Sequence, residues 1–194
     1  MKSIRMLLMV ILTANLLGGC AAVIVGGAAV GASAVHERRS VGTMIDDEGI
    51  EWKVRSALNG DKNLSSQSHI SVISVNEVVL LVGQTPTEAF RQQAGVLAKG
   101  VDKVRIVHNE LTVAAPSTYM TRTSDSYITS KVKTSLFKVK GHDDFDPTRV
   151  KVVTENGTVY LMGILYRSEA EDAAKQASRV GGVQKVVKLF EYLD

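Results

Sequence analysis

The stretch "NGTVYLMG", residues 156–163, decides how this chain is read, because a counterpart of it, "NEVVLLVG", stands at residues 76–83. Other segments are paired in the same order: "IEWKVRSAL" (50–58) matches "ITSKVKTSL" (128–136), and Gly100-Val101 matches Gly182-Val183. Matched segments in a fixed order mark one structural unit present twice. The second copy also declares its local structure. "RVKVVT" (149–154) and "TVYLMG" (158–163) enclose Asn156-Gly157, and an Asn-Gly pair between apolar runs is the strongest short hairpin signal, since both central residues of the favoured turn need positive φ. In the first copy, "HISVIS" (69–74) and "VVLLVG" (78–83) flank Val75-Asn76-Glu77, a weaker turn signal.

On either side of each hairpin the period changes to that of a helix. Ile50, Val54, Ala57 and Leu58 share one helical stripe, as do Ile128, Val132, Ser135 and Leu136. A second helix is expected to open with a capping box at Thr85-Pro86-Thr87-Glu88 in one copy and Ser168-Glu169-Ala170-Glu171 in the other. Each is expected to stop at glycine, at Gly100 and at Gly181-Gly182, through a left-handed residue. "KVRIVHNELTV" (103–113) and "KVVKLFEYL" (185–193) read as final strands, so each unit is αββαβ. The hydroxyl-rich "AAPSTYMTRT" (114–123) has no apolar period and reads as a linker, short enough that the two units are expected to pack together.

Charge and cysteine usage narrow the function. Residues 1–45 hold Lys2, Arg5, Arg38 and Arg39 against Glu37, which accounts for the whole formal charge of +3, so the remainder is near neutral, which disfavours a general nucleic-acid binder and leaves room for a local basic patch. Lys2 and Arg5 precede an apolar run over residues 6–17, the pattern of a signal peptide and too short to span a bilayer. Cys20 is the single cysteine, so internal disulfides, thiolate zinc sites and a cysteine nucleophile elsewhere are excluded. The four histidines, His36, His69, His108 and His142, show no metal or catalytic spacing, and the acidic run at residues 142–147 lacks the glycine and final glutamate of a calcium loop. No cofactor and no enzyme activity are expected.

Leu17-Gly18-Gly19-Cys20 resembles the lipobox of bacterial lipoproteins, which implies acyl chains on Cys20; Ala21 in place of aspartate implies the periplasmic face of the outer membrane. The repeated unit, with its "VxLxG" strand ends at residues 79–83 and 159–163 and its later Gly-Val pairs, resembles the BON domain. Lipobox, small-residue tether, "RSVGT" (39–43) and two units together resemble the dual-BON outer-membrane lipoproteins. That resemblance implies an α+β fold of two tandem BON domains, each a small mixed three-stranded sheet covered by two helices. The expected divisions are a signal peptide at 1–19, a lipidated tether at 20–45, BON domains at 46–113 and 124–194, and a linker at 114–123.

The resemblance further implies a non-enzymatic protein that binds anionic phospholipid, phosphatidylglycerol or cardiolipin, supports outer-membrane integrity and gathers at division sites. Its lipid-binding element is the first helix of the second unit, which opens with tryptophan in such relatives and with Tyr127 here. On a helical wheel the side of this helix away from the apolar stripe carries Tyr127, Ser130, Thr134, Phe137 and Lys138, with Lys131 and Lys133 at its edges. Aromatics flanked by lysines suit a helix lying on an anionic surface. The first copy has Trp52 on its outer face among Asp46, Asp47, Glu48 and Glu51, so Trp52 is expected to pack on the tether or on the other unit. The alternative reading is a tethered protein-interaction module that holds outer-membrane assembly proteins.

Overall fold

Each half is built on its hairpin. In the computed structural model, which describes residues 38–194, β1 (His69–Val75) pairs antiparallel with β2 (Val78–Thr85), and β4 (Lys151–Glu155) with β5 (Thr158–Leu165). Both turns have left-handed central residues: φ is 53° and 63° at Asn76 and Glu77, and 48° and 73° at Asn156 and Gly157. The turn with the weaker signal thus has the geometry of the Asn-Gly turn. A third strand, β3 (Ile106–Val113) or β6 (Lys185–Tyr192), adds in parallel to give the orders β1-β2-β3 and β4-β5-β6. Parallel neighbours need a crossover, which α3 (Glu88–Lys99) and α5 (Arg167–Ser178) supply.

The leading helices are α1 (Val41–Gly60) and α4 (Tyr119–Leu136). Both start earlier than the sequence suggests. Ser40 caps α1 by accepting from Thr43 N, and Thr118 caps α4 by accepting from Thr121 N, so helix occupies residues 41–45 of the expected tether and 119–123 of the expected linker. A short helix absent from the sequence reading, α2 (Lys62–Gln67), is capped by Asp61 and buries Leu64. The crossover caps are also shifted. Thr87, not Thr85, caps α3, while Glu169 rather than Glu171 accepts from the N-cap nitrogen of Tyr166, at 2.9 Å. Gly100 ends α3 with right-handed φ of −73°, and positive φ falls instead on Lys103 and, in the second unit, on Gly182.

The "VxLxG" glycines have a steric reason. A Cβ on Gly83 would lie 2.0 Å from the His69 carbonyl oxygen, and one on Gly163 would lie 2.6 Å from that of Arg149. Each central strand closes against the start of its hairpin only without a side chain there.

Side chains of β2 alternate between two cores. Val79 and Leu81 join Ile50, Val54, Leu58, Leu64, Ala94 and Ala98 beneath α1 and α3, and Val159 and Leu161 do the same beneath α4 and α5. Val78, Leu80 and Val82 turn the other way and meet Tyr160 and Met162 in a third core, with Val153, Val187 and Leu189 at its margin. The two sheets therefore stack back to back, with a helical layer outside each. Gln84 donates to Glu155 at 2.7 Å, and both Asn76 and Arg105 donate to Glu191, at 2.8 Å and 2.7 Å, tying the rims of the sheets. Burial between the sheets, with Glu110 and Glu155 adding to it, pushes the Tyr160 phenol up to about 12.

Candidate functional site

What α4 presents outward is set by what it fastens inward. Ile128, Val132, Ser135 and Leu136 are buried against the second sheet. Asp125, also buried, accepts from Asn156 N at 2.8 Å and Gly157 N at 2.9 Å, gripping the hairpin turn. Asp47 does the same from α1, accepting from Asn76 N, Glu77 N and the Ser74 hydroxyl at 2.7–2.8 Å. Neither acid was recognised as a clasp in the sequence; their common spacing, three residues before the matched Ile50 and Ile128, was the available signal.

With the inner face fixed, the opposite face of α4 stands free. Tyr127 is 66% exposed and Phe137, the C-terminal cap, 67% exposed, so neither turns back into the core. Ser130, Lys133, Thr134 and Lys138 are exposed and Lys131 is half-buried. The hydroxyls of Ser130 and Thr134 donate back to carbonyls four residues earlier. Lys131 Nζ stands 5.1 Å from the centre of the Tyr127 ring and donates to the Gly181 carbonyl at 2.6 Å. Six of the seven residues divide between two flanks. Ser130, Lys131, Thr134 and Lys138 border a groove shared with Arg179 of the α5 terminus, while Lys133 and Phe137 border a second hollow with Arg39, Val75 and Lys151.

Two residues missed in the sequence extend this face. Tyr119 and Met120 are 79% and 82% exposed on the first turn of α4. Tyr119 lies eighteen positions before Phe137, five turns of ~3.6 residues, and so shares its azimuth. The stretch was read as linker, which hid them. Between residues 119 and 140 the chain carries five basic residues and one acid, Asp125, which is turned inward. The outer face of α4 is therefore free of acid.

The outer face of α1 corrects one expectation. Trp52 is 69% exposed, so it packs neither on the second unit nor on the described residues of the tether, and Val41 and Ile45 lie exposed on the same side. Of the acids of α1, Glu48 stays exposed four residues before the indole, and the other three are engaged elsewhere. Asp47 and Glu51 are buried, Glu51 accepting from Ser74 N, and Asp46 pairs with Lys103 at 2.8 Å. That pairing raises the Lys103 ammonium above its usual range.

Cys20, the signal peptide and residues 20–37 of the tether lie outside the described residues. Among the described residues, no helix is long and apolar enough to cross a membrane, and no three His, Cys, Asp or Glu side chains gather as a metal site.

Comparison with known proteins agrees with the repeat. The BON domain family matches residues 46–115 and 124–194. Outer membrane lipoprotein DolP of Haemophilus influenzae is 41% identical over 181 residues, covering 92% of this chain and 91% of its own. The 21 kDa hemolysin of Actinobacillus pleuropneumoniae is 37% identical, covering 80% of this chain and 78% of its own. Osmotically-inducible protein Y of Escherichia coli is 35% identical, covering 75% and 72%. With both copies of its repeated unit matched and a relative of 41% identity aligned along nearly its whole length, the chain belongs to the BON-domain family.

Proposed function

We propose that this protein is a lipoprotein of the outer membrane, anchored on the periplasmic side through acyl chains on Cys20, that lays the outer face of α4 on anionic phospholipid. In this role it supports envelope integrity, at division sites in particular, without catalysing a reaction. The observation that carries the reading is the acid-free outer face of α4, where Tyr119, Met120, Tyr127 and Phe137 are exposed between lysines on both flanks. Each lysine near an anionic leaflet contributes about 1 kcal/mol, and each aromatic that is half-buried in the interface about 1–2 kcal/mol.

That sum is modest for a free protein and sufficient for a tethered one, because an anchored chain makes its second contact intramolecularly. The position of Arg39 supports simultaneous contact. This first residue of the compact unit borders the same hollow as Phe137 and Lys133, so the chain enters the folded part beside the C-terminal end of α4.

Co-sedimentation of residues 39–194 with vesicles tests the reading. Phosphatidylglycerol or cardiolipin vesicles should retain the fragment and zwitterionic vesicles should not, with Tyr127→Glu and Phe137→Glu each weakening retention. Equal retention on both vesicle types, or unchanged retention in both variants, would reject it.

One observation favours the protein-interaction alternative. Val41, Ile45 and Trp52 form an exposed apolar row on α1, on the helical layer opposite to α4. Binding through that row would persist at high salt and be removed by Trp52→Glu, whereas lipid binding through the α4 lysines weakens as ionic strength rises.

A further inference from the structure

We propose that the groove between α4 and the end of α5 holds the phosphate of a lipid headgroup, making it a specific phosphodiester site within the membrane-facing surface. This rests on the reading that α4 lies on anionic lipid. The groove has a volume of about 450 Å³ and is bordered by Lys131, Thr134, Lys138, Gln176 and Arg179. That volume is within the ~300–1,000 Å³ of small-molecule sites. Three cations and no acid line it.

The cations are disposed differently. Lys131 is held at the mouth by its bond to the Gly181 carbonyl and its place over the Tyr127 ring. Lys138 and Arg179 have no acid paired with them among the described residues, and Arg179, as the C-terminal cap of α5, has its guanidinium available for the two-pronged grip a phosphate accepts. Both α4 and α5 end here, and each C-terminus contributes about half a negative charge. Three positive side chains outweigh that.

The first repeat shows that the fold does not require this arrangement. The matched leading helices place Lys53, Ser56 and Gly60 where the second unit has Lys131, Thr134 and Lys138, and Gly100 caps α3 where Arg179 caps α5. Two of the three cations, and the guanidinium among them, belong to the second unit alone. Their side chains do no structural work that the first unit needs, which leaves ligand binding as their role.

The test uses the chain from residue 20 onward with Cys20→Ser, and vesicles matched in surface charge but made anionic either by phosphatidylglycerol or by oleate. The wild-type sequence should prefer phosphatidylglycerol several-fold. The double variant Lys138→Gln with Arg179→Gln should lose that preference and bind phosphatidylglycerol roughly twenty-five-fold more weakly, from about five-fold per cation at a membrane surface. The charge-matched control Lys53→Gln with Lys62→Gln, two exposed cations of the first unit, should change neither, and thermal melting should show all variants folded. A double variant that keeps the preference overturns the site. Displacement of wild type from vesicles by millimolar glycerol phosphate overturns the assignment to lipid-borne phosphate. Failure of the underlying reading looks different: Tyr127→Glu with Phe137→Glu would then leave binding intact.

Discussion

Asp47 and Asp125 each close a hairpin turn from the helix that precedes it, and they show how one residue type solves two different local problems. The second turn contains Gly157, which takes positive φ freely, and Asp125 accepts two backbone N–H groups there. The first turn puts Glu77 at φ 63°, a conformation that costs a residue with a Cβ about 1–2 kcal/mol, and Asp47 answers with an additional bond from the Ser74 hydroxyl and an ion pair to Arg39. Alanine at Asp125 leaves one buried and one part-buried donor unpaired, a loss of about 2 kcal/mol, and Asp47→Ala should lose more. Urea denaturation checks this; losses below about 0.5 kcal/mol in both variants would contradict it. A carboxylate early in a helix reads from the sequence as surface charge. Only the folded hairpin shows that its turn N–H groups arrive beside it.

Among the elements, the hairpins and the buried stripes were legible because each rests on a strict local rule: period two with a turn pair, or period 3.6. Helix starts were not. The run from Ser117 to Ser124 contains several hydroxyls that could each act as an N-cap, and the choice of Thr118 depends on how far the helix can extend before it meets solvent on every side. That choice has a functional consequence, since it adds Tyr119 and Met120 to α4 and lengthens the exposed face to ~27 Å at 1.5 Å per residue. Tyr119→Glu with Met120→Glu should therefore reduce retention on phosphatidylglycerol vesicles as much as Tyr127→Glu does, while leaving the melting temperature within about 2 °C because both side chains stand in solvent. Full retention by that variant would restrict the contact to the C-terminal half of α4. The resemblance points to this helix and helical period puts five of the seven candidate residues on its outer face with Lys131 and Lys133 at the edges, whereas Arg179 belongs to another element and no local pattern could associate it with them.

At the scale of the whole molecule, the third core decides which surfaces remain available. The "VVLLV" and "TVYLM" runs are apolar at consecutive positions, the mark of strands buried on both faces. Stacking the sheets through those second faces turns the α1 and α4 layers away from each other. Tyr160 reports on that junction. Its phenol stays neutral to about 12 in the folded protein against an ordinary 10.0, so the folded state binds the proton more tightly than the unfolded chain. Its share of stability is complete below about 10 and is lost as pH climbs from about 10 to about 12. Tyr160→Phe should flatten the stability profile over that window, and a profile parallel to wild type would show that the phenol does not feel the junction.

Because the two helical layers face opposite ways, one bilayer cannot take both, and Trp52, the only tryptophan in the chain, serves as a native reporter for the far side. The decisive measurement is tryptophan quenching by lipids brominated along their acyl chains in phosphatidylglycerol vesicles. It compares the native chain with a variant carrying Trp52→Phe and Tyr127→Trp. Emission from position 127 should shift to the blue and be quenched, while Trp52 should keep the emission of an indole in water. Quenching at Trp52 with none at position 127 would contradict the account, and would place α1 rather than α4 on the membrane.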